Sequence, residues 1–202
     1  MKLHFLGRFA ALSALALSFT VGASAQTYPV EGGRTYVTLA SEFAGALNSL
    51  SVFVGPIGKA RLLHGVASFP INGGSLDVAG AKGEVTHKGG LFLTAGRTSV
   101  RLMDFNIDLT GTTPGLTGLV IANGAVVGRI RLFDIALPAG ITLPLRPMAG
   151  RFFDLDGARL TLNSGAATAL NGVFGINAFA GGFPIGTARV SAFLDDDIAV
   201  AN

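Results

Sequence analysis

Between Met103 and Thr110, within the run Arg101–Thr110, the chain alternates apolar and polar residues without a break. Met103, Phe105, Ile107 and Leu109 fall on one side of an extended backbone, and Asp104, Asn106, Asp108 and Thr110 on the other. A strand of this kind buries one face only, so it requires a sheet and a second layer to cover it. Similar runs recur along the chain, separated by glycine-containing pairs. Leu119–Ala122 and Ala125–Val127 flank Asn123-Gly124, the pair that best supplies two positive-φ positions to a two-residue hairpin turn. Phe152–Leu155 and Ala158–Leu162 flank Asp156-Gly157, and Val66–Ile71 and Ser75–Val78 flank Asn72-Gly73-Gly74. Gly83–His87 and Leu91–Thr94 are joined through Lys88-Gly89-Gly90. Each reads as a hairpin. The 29 glycines, about twice the usual ~7% share, fit many tight turns between short strands. Pro138–Met148, rich in proline and glycine, reads as a loop or an edge strand. The expected fold is all-β, a mainly antiparallel β sandwich or coiled sheet pair.

Two segments depart from this pattern and resemble one another. Thr38–Asn48 and Thr161–Asn171 share seven of eleven residues, and Pro56–Arg61 and Pro184–Arg189 share five of six. The offset grows from 123 to 128 residues between the two matches. Each copy reads as strand, short helix, loop and strand, an internally duplicated unit with Ser41 and Ser164 as helix N-caps accepting from first-turn amides.

Residues 1–25 read as a secretory signal. Lys2 and Arg8 precede an apolar run from Phe9 to Val21, and Ala23-Ser24-Ala25 forms a small-x-small cleavage site. The run is shorter than a comfortable membrane span, and the chain beyond Gln26 holds no stretch of about 18 apolar residues. The expected exported domain is 26–202, one domain with no transmembrane anchor, destined for periplasm, cell wall or medium. With no cysteine in the chain, disulfides and lipid attachment through a thiol are excluded. Subtracting Lys2 and Arg8 from 15 basic residues leaves 13 against 12 acidic ones, a net charge of +1. The basic residues are scattered singly, which argues against nucleic acid or an anionic membrane surface as partner. Only 13% of residues are charged and half are apolar, as expected of strands buried on both faces or of an exposed apolar patch.

No catalytic constellation emerges, and a non-enzymatic protein is expected. Beyond the signal only His64 and His87 could serve as imidazole ligands. Glu84 and His87 have metal-pair spacing for a helix, but three residues apart on a strand they face opposite sides. Gly-x-Ser-x-Gly is absent. Asp154-x-Asp156-Gly157 lacks the remaining ligands of a calcium loop, and Asp195-Asp196-Asp197 reads as a solvated end. The glycine pairs Gly89-Gly90 and Gly181-Gly182 precede no phosphate-binding helix.

The order of these motifs resembles the HtaA-type domains of exported bacterial haem-binding proteins. The likeness runs through Ser41–Leu47, Phe69–Asp77, Thr86-His87-Lys88-Gly89-Gly90-Leu91, Asp104–Leu109 and Leu160–Ala167, and spans most of residues 36–190. It implies haem as cofactor, its iron held by a tyrosine on the first helical segment and supported by a histidine matching His87. The tyrosine position falls on Gly45 or Ala46 here. His87 and, after it, Tyr36 are therefore the ligand-binding residues that the resemblance leaves. It implies a module that binds haem or another apolar small molecule; the alternative is a structural or cell-surface interaction protein on the same scaffold, with a surface protein as partner.

Overall fold

The structure is a computed structural model and describes residues 27–141, 145 and 151–195. The targeting segment, Gln26, Asp196-Asp197 and most of Pro138–Met148 lie outside the described residues. In chain order the elements are β1 (Thr27–Leu39), α1 (Ser41–Ser49), β2 (Phe53–Ile57), β3 (Arg61–Leu63), β4 (Val66–Asp77), β5 (Lys82–His87) and β6 (Gly90–Ala95). They continue with β7 (Thr98–Asp108), β8 (Gly115–Ala122), β9 (Ala125–Ala136), β10 (Phe152–Leu162), α2 (Ser164–Phe174) and β11 (Pro184–Leu194).

Eight of these strands form a closed antiparallel ring in the order β7-β5-β4-β1-β11-β10-β9-β8, with β8 returning to β7. The mainly antiparallel β architecture with two short helices is as expected, but the sheet closes on itself as a barrel rather than folding into a sandwich. The reason lies in the glycine pairs. Of the four expected hairpins, only Asn123-Gly124 makes one, with φ of 49° and 84° at the two positions. Asp156-Gly157 sits inside the single strand β10, where the register against β11 slips between Leu155 and Ala158. Gly157 has φ 85°, a value costly for a side chain with Cβ, and absorbs an extra residue as a bulge. Asn72-Gly73-Gly74 likewise lies within β4, at a register shift against β5. Lys88-Gly89 reverses nothing: β5 and β6 run on in one direction along the same edge of β7. Bulges bend and twist a strand more sharply, and such coiling is what a small barrel needs to close.

A further bulge at Asp104, with φ 49°, corrects the alternation of β7. Phe105 and Ile107 are buried as expected. Met103, one step before the bulge, is thrown to the opposite side, and Leu102 takes the inner face instead.

The two helices follow β1 and β10 at one end of the barrel, with closely matching entry dihedrals: φ −65°, ψ 143° at Ala40 and φ −67°, ψ 145° at Asn163. The caps are thus one residue earlier than Ser41 and Ser164, which are already helical. Asn163 Oδ1 accepts from the Gly165 amide at 3.0 Å. Ala40 has no side-chain acceptor to offer, and Ser41 Oγ donates to Glu42 Oε2 instead. The matched Pro-Ile-Gly elements differ in structure: Pro56–Arg61 leaves β2 through a turn into β3, whereas Pro184–Arg189 lies within β11.

Candidate functional site

Below the helices the barrel is hollow. A cavity of about 400 Å³ is bounded by inward side chains such as Val37, Phe69, Leu102 and Leu132, with Phe43 of α1 and Leu170 of α2 among its walls at the helix end. A smaller void of about 40 Å³ lies further in and shares Thr35, Val37, Leu116 and Leu160 with it. The large cavity is held open by small residues where bulky ones would fill it, including Ala67, Ala122, Ala166 and Ala169. The cavity opens at Val127, which lines it and is 54% exposed, so solvent or a ligand reaches it. Water entering there meets almost no polar partner.

The side chains that line the cavity are apolar except for Thr35 and His87, and none is charged. His87 ends β5, where the chain leaves β4 for the β6 course. Its inward direction follows from sharing a face with Val85, and both are nearly fully buried. Glu84 is exposed on the other side of the strand, so the pair diverges as the spacing implies. His87 Nδ1 lies 3.2 Å from the Phe105 carbonyl, and Nε2 lies 2.7 Å from Thr35 Oγ1. A carbonyl only accepts, which puts the imidazole proton on Nδ1 and leaves Nε2 to accept from the Thr35 hydroxyl. Burial lowers the His87 pKa to about 4, against a smaller upward pull from the hydrogen bond to Phe105. The ring is neutral at pH 7. It links β1, β5 and β7 with both nitrogens engaged.

Tyr36 is the neighbour of Thr35 and therefore points the other way. It is 39% exposed on the outer wall, opposite Arg189 in the β1–β11 register. The fold thus does not bring His87 and Tyr36 together. Arg189 is held by Asp154 through two hydrogen bonds of 2.9 and 2.7 Å, and Ser191 also donates to Asp154. Asp154 is accordingly an ion-pair partner, with its pKa lowered first by the Arg189 hydrogen bond. No cluster of three or more His, Cys, Asp or Glu side chains suited to a metal occurs among the described residues. Sequence reasoning missed Thr35, since an isolated threonine in a strand carries no signal until its partner across the barrel is known.

The class of protein this defines is a small, closed eight-stranded antiparallel barrel with two helices over an apolar cavity. No protein-family model matches the chain, and no curated protein matches it in sequence. Among solved structures it is similar to the C-terminal domain of HtaA from Corynebacterium glutamicum, with a TM-score of 0.63 and 14% identity, covering 83% of this chain and 99% of that one. The N-terminal domain of HtaA from the same organism gives a TM-score of 0.58 at 13% identity, covering 86% of this chain and 99% of that one. The haem-binding protein HtaB, also from Corynebacterium glutamicum, gives 0.54 at 8% identity, covering 84% and 95%. The chain has the HtaA-type fold.

No side chain lining this cavity offers haem iron a free ligand atom. Gly45 and Ala46 of α1 offer no ligand atom. The one imidazole lone pair, on Nε2, is taken by Thr35, and no cation lines the cavity to receive propionates.

Proposed function

We propose that the protein is an exported, non-enzymatic carrier or sensor that encloses an apolar ligand within its barrel. The observation that carries this reading is a cavity of about 400 Å³ with two polar side chains, each already satisfied by the other. That volume lies in the ~300–1,000 Å³ range of small-molecule sites. A buried, neutral Thr35–His87 pair at the wall gives a ligand one weakly polar contact and no charge to meet. Such a site favours an uncharged chain or ring system over a carboxylate or phosphate buried at its end. Export rests on the basic start, apolar run and Ala23-Ser24-Ala25 of the first 25 residues.

Titration with the neutral, apolar fluorophore N-phenylnaphthylamine tests the reading. Saturable enhancement is expected for the wild type and its loss for Ala166→Phe, which places a ring in the cavity. Enhancement that is absent in the wild type, or unchanged in a folded Ala166→Phe, would sink it.

HtaB shares this fold and binds haem, which gives a second reading with haem as the ligand. Haem titration of the wild type, His87→Ala and Tyr36→Phe separates the two. We expect no saturable Soret shift. A shift lost in one folded variant would establish that residue as a ligand and favour haem.

A further inference from the structure

We propose that the outer face of the sheet around the cavity mouth docks on an anionic phospholipid bilayer, from which the apolar ligand enters without crossing water. This rests on the carrier reading above. At the helix end, β6 and β2 extend the sheet beyond β7, so five strands stand side by side in the order β2-β6-β7-β8-β9. Their register places Gly55, Phe92, Arg101, Ile121 and Val126 in one cross-strand row, and Met103, Leu119 and Arg129 in the next. Phe53 packs against Phe92 at 5.8 Å between ring centroids, yet is 65% exposed. Val126, at the opposite margin, is 70% exposed.

The two margins share a feature that single surface hydrophobics lack. On β2, exposed Phe53 is followed by Val54, which lines the cavity, and on β9 exposed Val126 is followed by cavity-lining Val127. At both places apolar surface continues from the outside of the wall to its inside. A ligand leaving a bilayer at either margin would stay in contact with hydrocarbon side chains throughout.

Charge selects the partner. Residues 53–57, 90–103 and 115–133 contain no aspartate or glutamate but do contain Arg97, Arg101, Arg129 and Arg131. Arg131 is engaged by Asp134. The other three are exposed and form no ion pair among the described residues. Along the sequence these arginines are scattered, and it is the strand register that gathers them. Exposed aromatic and aliphatic side chains interleaved with arginines that have no carboxylate partner are what an anionic lipid surface attracts, each cation near the surface contributing roughly fivefold in affinity.

Co-sedimentation of the purified protein with vesicles tests the proposal. One set is phosphatidylcholine alone, and the other carries about 30 mol% phosphatidylglycerol. Binding to the anionic vesicles is expected, weakening at about 0.5 M salt as the charges are screened. Reversing Arg101→Glu with Arg129→Glu should lower it by roughly 25-fold or more, and Phe53→Asp with Val126→Asp should also reduce it. N-phenylnaphthylamine uptake measured without vesicles should be unchanged in Arg101→Glu with Arg129→Glu. Wild-type protein that ignores anionic vesicles, or variants that bind as well as wild type, would overturn docking. So would a dimer in solution that dissociates with Val126→Asp, because the face would then join two copies. Vesicle binding without fluorophore uptake would uphold docking and remove the carrier reading, so the two failures are distinguishable.

Discussion

Lowering the pH should unlock the barrel at His87. Its pKa is about 4 in the folded protein, against 6.5 for an unperturbed imidazole, because burial disfavours the cation. The unfolded chain therefore binds more protons between these values, and stability falls as the pH drops through the window. The contribution is intact above pH 6.5 and is lost progressively towards pH 4. Between pH 7.5 and 4.5 the loss attributable to this residue is on the order of 2–3 kcal/mol, taking 1.36 kcal/mol per pKa unit. His87→Leu isolates it. That variant leaves the Thr35 hydroxyl and the Phe105 carbonyl without the imidazole, a pH-independent cost of about 2 kcal/mol. Urea unfolding at a series of pH values should show the wild type ahead at pH 7.5 and level with or behind His87→Leu at pH 4.5. Carboxylates common to both proteins cancel in the difference. Parallel stability curves across that range would refute a neutral, buried His87.

Three further outcomes follow from the packing. Asn163→Ala should cost about 1 kcal/mol by removing the α2 cap, whereas Ser164→Ala should stay within ~0.5 kcal/mol, as read from thermal or urea midpoints. Gly157→Ala should cost about 1–2 kcal/mol in the same assay, since its φ of 85° strains any residue with a Cβ. The added methyl would meet nothing closer than Pro138 Cγ at 3.8 Å, so the cost is one of backbone conformation and not of crowding. Thr35→Val should destabilise by about 1–3 kcal/mol by stranding Nε2, and a double-mutant cycle with His87→Leu should recover part of that loss.

Local periodicity made the strands legible, and the Asn-Gly turn, both helices and the inward direction of His87 could be read without a structure. Closure could not. Asp156-Gly157 and Asn72-Gly73-Gly74 have the composition of turns, and positive φ serves a turn and a bulge alike. Which one results depends on whether neighbouring strands continue past the pair, a non-local fact. Val190 and Ala188 continue opposite Leu155 and Ala158, so β10 bends and does not reverse. The cavity was hidden for the same reason. Ala67, Ala122 and Ala166 are ordinary strand and helix residues until the barrel places them around one space. Tyr36 was visible as a tyrosine, but its facing outwards follows only from Thr35 facing in.

The chain contains no tryptophan, so one introduced in the cavity reports contact with a ligand against no background. Leu170→Trp places an indole on α2 at the cavity wall, and Phe193→Trp places one on the exposed outer side of β11. Titration with a brominated long-chain alcohol quenches indole emission only at short range. If the barrel encloses an apolar ligand, quenching should be saturable at Leu170→Trp and reversed by an unbrominated competitor, with Phe193→Trp unaffected. Equal quenching at both sites, or none at Leu170→Trp in a folded protein, would contradict the account.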